Sequence, residues 1–277
     1  MRVTFATEPA YPDRPNEDFV AATPNAVVLL DGAGTPAGVE CGCRHGVAWY
    51  SRTLGSTLIA GVTQTCGTLV EILAEGIKAV TGLHDSTCDL SHPGSPSSTV
   101  VMLRRTAETL DWLVLADSVL VLDVAGAAEP TAICDDREGQ IGARYRARMD
   151  ALPGGTAEHT EALRDYVEAM RDHRNRDGGF WVASVDPLAA EHALTGSVSV
   201  AQVTTAVLLS DGASRLVDRF YLTTWRRAVD LLGQDGPAEL IRRVRDAERS
   251  DLDGIRWPRG KTFDDATAAH VVVNDTR

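Results

Sequence analysis

The sequence predicts an α+β sandwich in which two sheets pack against each other beneath outer helices. Several strand-like runs are apolar throughout instead of alternating, which suits strands covered on both faces. Between them lie segments whose apolar residues recur every three or four positions, the mark of helices with one face on a core. The chain has 277 residues, 44% hydrophobic and 24% charged, which is enough to bury a core and excludes disorder as a description of the whole.

In order along the chain, a short Phe19-Val20 strand comes first, followed by strands at 27–30, 100–103, 112–116, 119–123, 204–209 and 268–273. Leu69, Ile72, Leu73, Ile77 and Val80 make one helical stripe, and Leu163, Tyr166, Val167 and Met170 make another, both read as core-facing. Gly236-Pro237 announces a third helix, with Leu240, Ile241 and Val244 on one face and arginines on the other. Pro153-Gly154-Gly155 separates two helical segments, but no low-complexity linker and no repeat of about 20 to 50 residues is present. The expectation is one domain over 1–277, with a variable helical or flap segment around 137–200.

Charge narrows the partners. The 27 basic and 39 acidic residues leave a net charge of -12, a field that repels nucleic acid and acidic membrane surfaces. No apolar run approaches the ~20 residues of a membrane span, and Met1 to Ala10 lacks a signal sequence's basic start and apolar stretch, so the reading is a soluble cytoplasmic protein. Only Lys78 and Lys261 are lysines, so nearly all positive charge is arginine. The cysteines Cys41, Cys43, Cys66, Cys88 and Cys134 show no doubled C-x-x-C spacing. Cys41-Gly42-Cys43 offers a thiol metal or redox pair, with no second pair or clustered histidine to complete it; buried or helix-capping thiols are the default. The histidines, His92 and His192 among them, are read as structural, and Ser98 and Ser210 have no partner base for a serine hydrolase.

Chemistry concentrates at strand ends. Val27-Val28-Leu29-Leu30-Asp31-Gly32-Ala33 is echoed by Val207-Leu208-Leu209-Ser210-Asp211-Gly212-Ala213, each placing an aspartate and a glycine where a buried strand stops. Asp117 ends the 112–116 run, Asp264-Asp265 precedes the last strand, and Glu17-Asp18 precedes Phe19. Singly, such pairs are ordinary turn chemistry. Converging on one edge, they would repel one another unless a cation such as Mg²⁺ or Mn²⁺ neutralised them, and a two-metal site accounts for the set.

The order of these motifs resembles the metal-dependent protein phosphatase family, the PPM or PP2C type, over nearly the whole chain. Asn16-Glu17-Asp18 resembles its N/M-E-D element, Asp31-Gly32-Ala33-Gly34 its D-G-x-G-G loop, and Ser97-Ser98-Thr99 its G-S/T-T element. Asp117-Ser118 resembles the middle of G-D-S-R, Ser210-Asp211-Gly212 matches S-D-G, and Asp264-Asp265-Ala266-Thr267 resembles D-N/D-x-T. The resemblance implies a four-layer αββα sandwich of two antiparallel sheets, and two Mn²⁺ or Mg²⁺ ions, with a third as an option. By resemblance, Asp31 would bridge both metals with the Gly32 carbonyl on one of them. Asp211 and Asp264 would hold a metal, Glu17 would bind through water, and Asp117 would serve the third ion.

The implied activity, that of a bacterial-like member of the family, is hydrolysis of phosphoserine or phosphothreonine in proteins by a metal-activated water, which needs no protein nucleophile. Arg14, in the turn Pro12-Asp13-Arg14-Pro15, is the candidate phosphate clamp, its planar fork suited to two oxygens; the other reading is a surface turn residue. The chain departs from the family pattern on the substrate side. Thr35 replaces a glycine, Ala116 and Val119 flank Asp117 in place of glycine and arginine, Ala33 stands where some members carry a general-acid histidine, and Arg14 sits one residue closer to Glu17 than usual. The segment from His173 to Trp181 reads either as a recognition loop for an anionic ligand with Trp181 as its apolar wall, or as a helix end followed by a core-anchoring Phe180-Trp181 pair. Two other functions stay open: the same fold turned to a small-molecule cyclase or dehydratase reaction, and a module that binds a phosphorylated partner without turnover.

Overall fold

The computed structural model describes residues 1–33 and 41–274, so Gly34 and Thr35 lie outside the described residues. The chain runs β1 (Arg2–Glu8), β2 (Phe19–Thr23), β3 (Ala26–Leu30), a short β4 (Gly32–Ala33), α1 (Val47–Gln64) and α2 (Leu69–His84). Next come β5 (Ser97–Ser98), β6 (Val100–Arg105), β7 (Thr109–Leu115), β8 (Val119–Val124), β9 (Thr131–Ile133), α3 (Arg137–Gly142), α4 (Ala147–Asp150) and α5 (Ala157–Arg171). The last third holds β10 (Leu194–Ser199), β11 (Val203–Leu209), α6 (Asp211–Asp218), α7 (Trp225–Gln234), α8 (Pro237–Arg249) and β12 (Ala266–Val272).

Two five-stranded antiparallel sheets form, in the orders β1-β12-β11-β8-β9 and β10-β7-β6-β3-β2. Strand alternation sorts the apolar side chains into three layers. Val27 and Leu29 of β3, with Val101 and Leu103 of β6, meet Leu120, Ala206, Leu208, Ala269 and Val271 of the other sheet. The alternate residues, Val28, Leu30, Val100 and Met102, pack outward on α1 and α2 through Tyr50, Leu54, Leu73 and Ile77. On the opposite outer face Val119, Val207, Leu209 and Ala268 pack on α6, α7 and α8 through Leu216, Leu232, Leu240 and Val244. The architecture is the four-layer αββα sandwich with helices outside, and it explains why these strands are apolar on both faces.

Strand pairing sets where the chemistry falls. Leu30 opposes Phe19, Leu29 opposes Val101, Val100 opposes Leu115, and Leu209 opposes both Val119 and Ala268. The C-terminal ends of β3, β7 and β11 and the N-terminal ends of β2 and β12 therefore share one edge of the sandwich, which carries Asp31, Asp117, Asp211, Glu17-Asp18 and Asp264-Asp265.

The second helical stripe faces a small core of its own. Met170 of α5 is buried with Ile141, Phe180 and Val182 and Tyr166 packs against them, while Leu163 and Val167 are half-buried and line an adjoining cleft. Helix α1 had no sequence signal strong enough to announce it: its apolar residues Val47, Tyr50, Leu54, Leu58 and Val62 are interleaved with Thr53, Gly55, Ser56, Thr57 and Gly61, weak helix formers. Among the described residues no helix is long and apolar enough to cross a membrane.

Candidate active site

A cleft of about 310 Å³ opens at the shared edge. Asp117, Asp211 and Asp264 line it on the sheet side, and Glu138, Tyr166, Met170 and Phe180 line it on the side built by α3, α5 and the strand-like segment that follows. Between them stand Arg146, Arg174, Arg219 and Lys261, so an acidic floor carries a basic wall.

The two Asp-Gly elements meet directly. The Asp211 backbone N–H donates to Asp31 Oδ2 at 3.2 Å, which ties the first residue of α6 to the end of β3. Both glycines are required by close approach. A Cβ on Gly32 would lie 2.6 Å from the Glu17 carbonyl oxygen, and one on Gly212 would collide with the Asp265 carbonyl. The Asp31 backbone N–H donates to Thr99 Oγ1 at 3.2 Å, and Thr99 Oγ1 shares a 2.6 Å hydrogen bond with Ser118 Oγ, so Ser97-Ser98-Thr99 and Asp117-Ser118 fix the loop from behind.

The carboxylates differ sharply in their surroundings. Burial raises the Asp31 carboxyl well above its ordinary value, and Asp18, Asp211, Asp264 and Asp117 raise it further. Burial, then Asp211 and Glu138, do the same to Asp117. Asp18 is 6% exposed, and neither of its oxygens has a hydrogen-bond partner of good geometry. Burial pushes its carboxyl up to about 8, with Asp265 adding to the rise and the nearby Thr267 and Ser210 hydroxyls opposing part of it. Glu17 is raised as well, by burial first.

Asp264 is the exception. Burial would raise it, but Lys261 and Arg215 hold it below the ordinary carboxylate value. Lys261 Nζ lies 2.8 Å from Oδ1, and an Arg215 guanidinium nitrogen lies 2.7 Å from Oδ2. Arg215 runs on to Glu248 at 2.8 Å, Glu248 to Arg245 at 2.8 Å, and Arg245 to Glu8 at 3.1 Å. Asp265 turns away, accepting the Ala10 and Glu17 backbone N–H groups at 2.7 Å each, and so anchors the N-terminal segment to β12.

The donor set fits a hard cation at Asp31, Asp211 and Asp18. All-oxygen ligands, mutual repulsion among buried acids, and the orphaned Asp18 oxygens each call for positive charge there. Asp264 already has two cationic partners, so a metal ion on its carboxylate has to displace one of them, and half-exposed Lys261 is the more mobile. Arg215 and Lys261 are the functional neighbours that sequence reasoning missed. The available signals were slight: Arg215 lies one helical turn after Asp211, and Lys261 three residues before Asp264.

Arg14 sits in its turn, exposed, with its guanidinium 4.8 Å from the Tyr11 ring centroid. It does not line the cleft, whereas Arg174 does, donating to Ser97 Oγ at 3.2 Å and to the Pro93 carbonyl. Of the His173 to Trp181 segment, Phe180 lines the cleft, but Trp181 stacks on His192 with centroids 3.6 Å apart and belongs to the core beneath α2. Trp181 is a core anchor and not a ligand wall.

The altered flank of Asp117 has a backbone consequence. Ala116 adopts φ +67° in the tight turn from β7, a conformation that costs an L-residue with a Cβ about 1 to 2 kcal/mol. Ala116→Gly is expected to remove that strain and, after the entropy a glycine adds to the unfolded chain, to stabilise the fold by about 0.5 to 1 kcal/mol. A lower urea midpoint for the variant contradicts this.

Asp18 yields a pH prediction in buffer without added Mn²⁺. Below about pH 4 the carboxyl is protonated in both folded and unfolded chains and costs nothing. From there to about pH 8 only the folded chain keeps the proton, so Asp18 destabilises progressively as pH rises, by of the order of 5 kcal/mol across the window. Asp18→Asn is therefore expected to gain stability over wild type as pH rises from about 5 to about 8. Urea unfolding at both ends of that range checks it, and a gap independent of pH refutes it.

No family model matches the chain, and no curated protein matches it in sequence. Solved structures do resemble it. The serine/threonine phosphatase Stp1 from Staphylococcus aureus superposes with a TM-score of 0.58 at 13% identity, covering 99% of this chain and 95% of that one. The PPM Ser-Thr phosphatase MsPP from Mycobacterium smegmatis, in complex with cacodylate, gives 0.56 at 16% identity, with 99% of each chain covered. The catalytic domain of the serine threonine protein phosphatase PstP, in complex with two manganese ions, gives 0.54 at 17% identity, covering 99% of this chain and 98% of that one. Together with the antiparallel αββα layering and the strand-end acids, these likenesses give the chain the fold of the PPM serine/threonine phosphatases.

Proposed function

We propose that this chain hydrolyses phosphoserine and phosphothreonine in proteins with a Mn²⁺- or Mg²⁺-activated water. The observation that carries the reading is the convergence of Asp18, Asp31, Asp117 and Asp211 at one sandwich edge, where burial and neighbouring carboxylates raise the pKa of Asp18, Asp31 and Asp117. Asp31 and Asp211 are the residues to hold the ions, with the Gly32 carbonyl and Glu17 contributing from beside them and Asp117 serving a third. When bound there, such ions would lower the pKa of a water and offset the charge of the phosphoryl oxygens.

The chain's own residues do the rest. Lys261 and Arg215 keep Asp264 ionised and set its orientation. Arg174 and Arg219 stand on the cleft wall, where their guanidinium forks suit the paired oxygens of a phosphoryl group, and Arg14 is a further candidate from its exposed turn. Met170, Phe180 and Tyr166 offer an apolar surface for the rest of the substrate.

Turnover of p-nitrophenyl phosphate and of a broad phosphopeptide panel, with and without added Mn²⁺, tests the reading. Metal-stimulated phosphate release supports it. Its absence in a folded sample favours a second reading, the same fold turned to a small-molecule reaction, for which the prior neutralisation of Asp264 by Arg215 and Lys261 is the motivating observation.

A further inference from the structure

We propose that Cys43, His45, His84 and Cys88 form a structural Zn²⁺ site, separate from the acidic cleft and holding together the two helices on one outer face of the sandwich. One ligand atom from each of the four lies within 4.8 Å of every other. Cys43 Sγ and Cys88 Sγ are 3.4 Å apart, Cys43 Sγ is 3.8 Å from His45 Nδ1 and 3.6 Å from His84 Nδ1, and Cys88 Sγ is 3.4 Å from His45 Nδ1. A tetrahedron with Zn–S of about 2.3 Å and Zn–N of about 2.0 to 2.1 Å has S···S edges near ~3.8 Å and S···N edges near ~3.5 Å. The three S···N separations bracket their edge, and the S···S separation is about 0.4 Å short of its own, a gap that a small side-chain shift closes. Two thiolates, two imidazoles and tetrahedral spacing select zinc over the hard ions suited to carboxylates.

The placement gives the site a purpose. Cys43 and His45 precede α1, His84 is the last residue of α2, and Cys88 follows it, so the ligands join the start of one helix to the end of its antiparallel neighbour. The surroundings are already shaped for this. Cys43 is 7% exposed and His84 1%, the His45 ring stacks on Trp49 at 4.4 Å, and the Asp89 N–H donates to the Gly42 carbonyl at 2.8 Å to zip the two loops together. With four protein ligands and no open position, the site is structural and not catalytic. The C-x-H and H-x₃-C pairs lie on either side of two helices, which is why neither reads as a zinc motif in sequence.

Loss of two thiol protons accompanies binding, and the resulting Zn(Cys)₂(His)₂ centre is neutral, so it suits a partly buried position. The test uses the full chain purified under reducing conditions without added metal. Elemental analysis is expected to find one zinc per chain, retained in Asp211→Asn, and replacement by Co²⁺ is expected to give the intense visible bands of tetrahedral thiolate-bound cobalt. Cys88→Ser and His45→Ala are each expected to weaken Zn²⁺ binding at least about 100-fold, by competition with a chromogenic chelator. Wild-type protein with no zinc and no cobalt bands, or with a Cys43–Cys88 disulfide in its peptide map, overturns the proposal; so does zinc held equally well by Cys88→Ser. Should a variant fail to fold, the cobalt spectrum of the wild type decides.

Discussion

Asp211→Asn is expected to cut metal-supported phosphoester hydrolysis by roughly 10³-fold while leaving the fold intact. Metal activation of water and neutralisation of the phosphoryl oxygens are worth several kcal/mol, and each 1.36 kcal/mol is tenfold in rate. The amide keeps the size of the carboxylate, and the 3.2 Å bond to Asp31 comes from the backbone N–H of residue 211, so the joint between β3 and α6 survives. What is lost is a charge that the hard ion requires. Added Mn²⁺ is expected to raise the melting temperature of wild type and not that of the variant, a readout independent of turnover. Calorimetry showing the same Mn²⁺ affinity in both proteins would remove Asp211 from the metal centre.

The second large effect is on stability. Glu248 is fully buried and holds Arg215 and Arg245 at 2.8 Å each, and those arginines are 4% and 2% exposed. Glu248→Gln keeps the volume and removes a charge that faces both cations at once. Breaking a buried pair from one side costs about 3 to 5 kcal/mol, because the surviving charges stay desolvated. Arg215 would retain Asp264 and Arg245 would retain Glu8, so the lower end of that range is expected. Urea unfolding at neutral pH measures it, and a loss under about 1 kcal/mol would show that the network is hydrated or relaxes. Because Arg215 also touches Asp264, this variant is expected to loosen the cleft as well, which links α8 to the site through three side chains.

Much of the fold was legible in the chain because strand burial leaves a local trace. Runs such as 27–30 and 204–209 are apolar at every position, and only strands covered on both faces need that. The strand-end aspartates were legible for a related reason: turn and ligand chemistry both demand particular residue types at fixed offsets from such runs. The sequence by itself therefore determined the layered architecture, the edge where acids gather, and the positions of Asp31, Asp117, Asp211 and Asp264. Tertiary structure alone decided what surrounds them. Arg215 and Lys261 reach Asp264 through the docking of α6 and of the loop before β12, and burial leaves both Asp18 oxygens without a well-aligned hydrogen-bond partner. The pairing of Cys43 and His45 with His84 and Cys88 is the clearest case. Two helices separate the halves in sequence, and only antiparallel packing of α1 on α2 closes the distance to hydrogen-bonding range. Local patterns record which side of an element is buried; which distant side chains share a pocket depends on packing angles and registers that no short stretch of chain encodes.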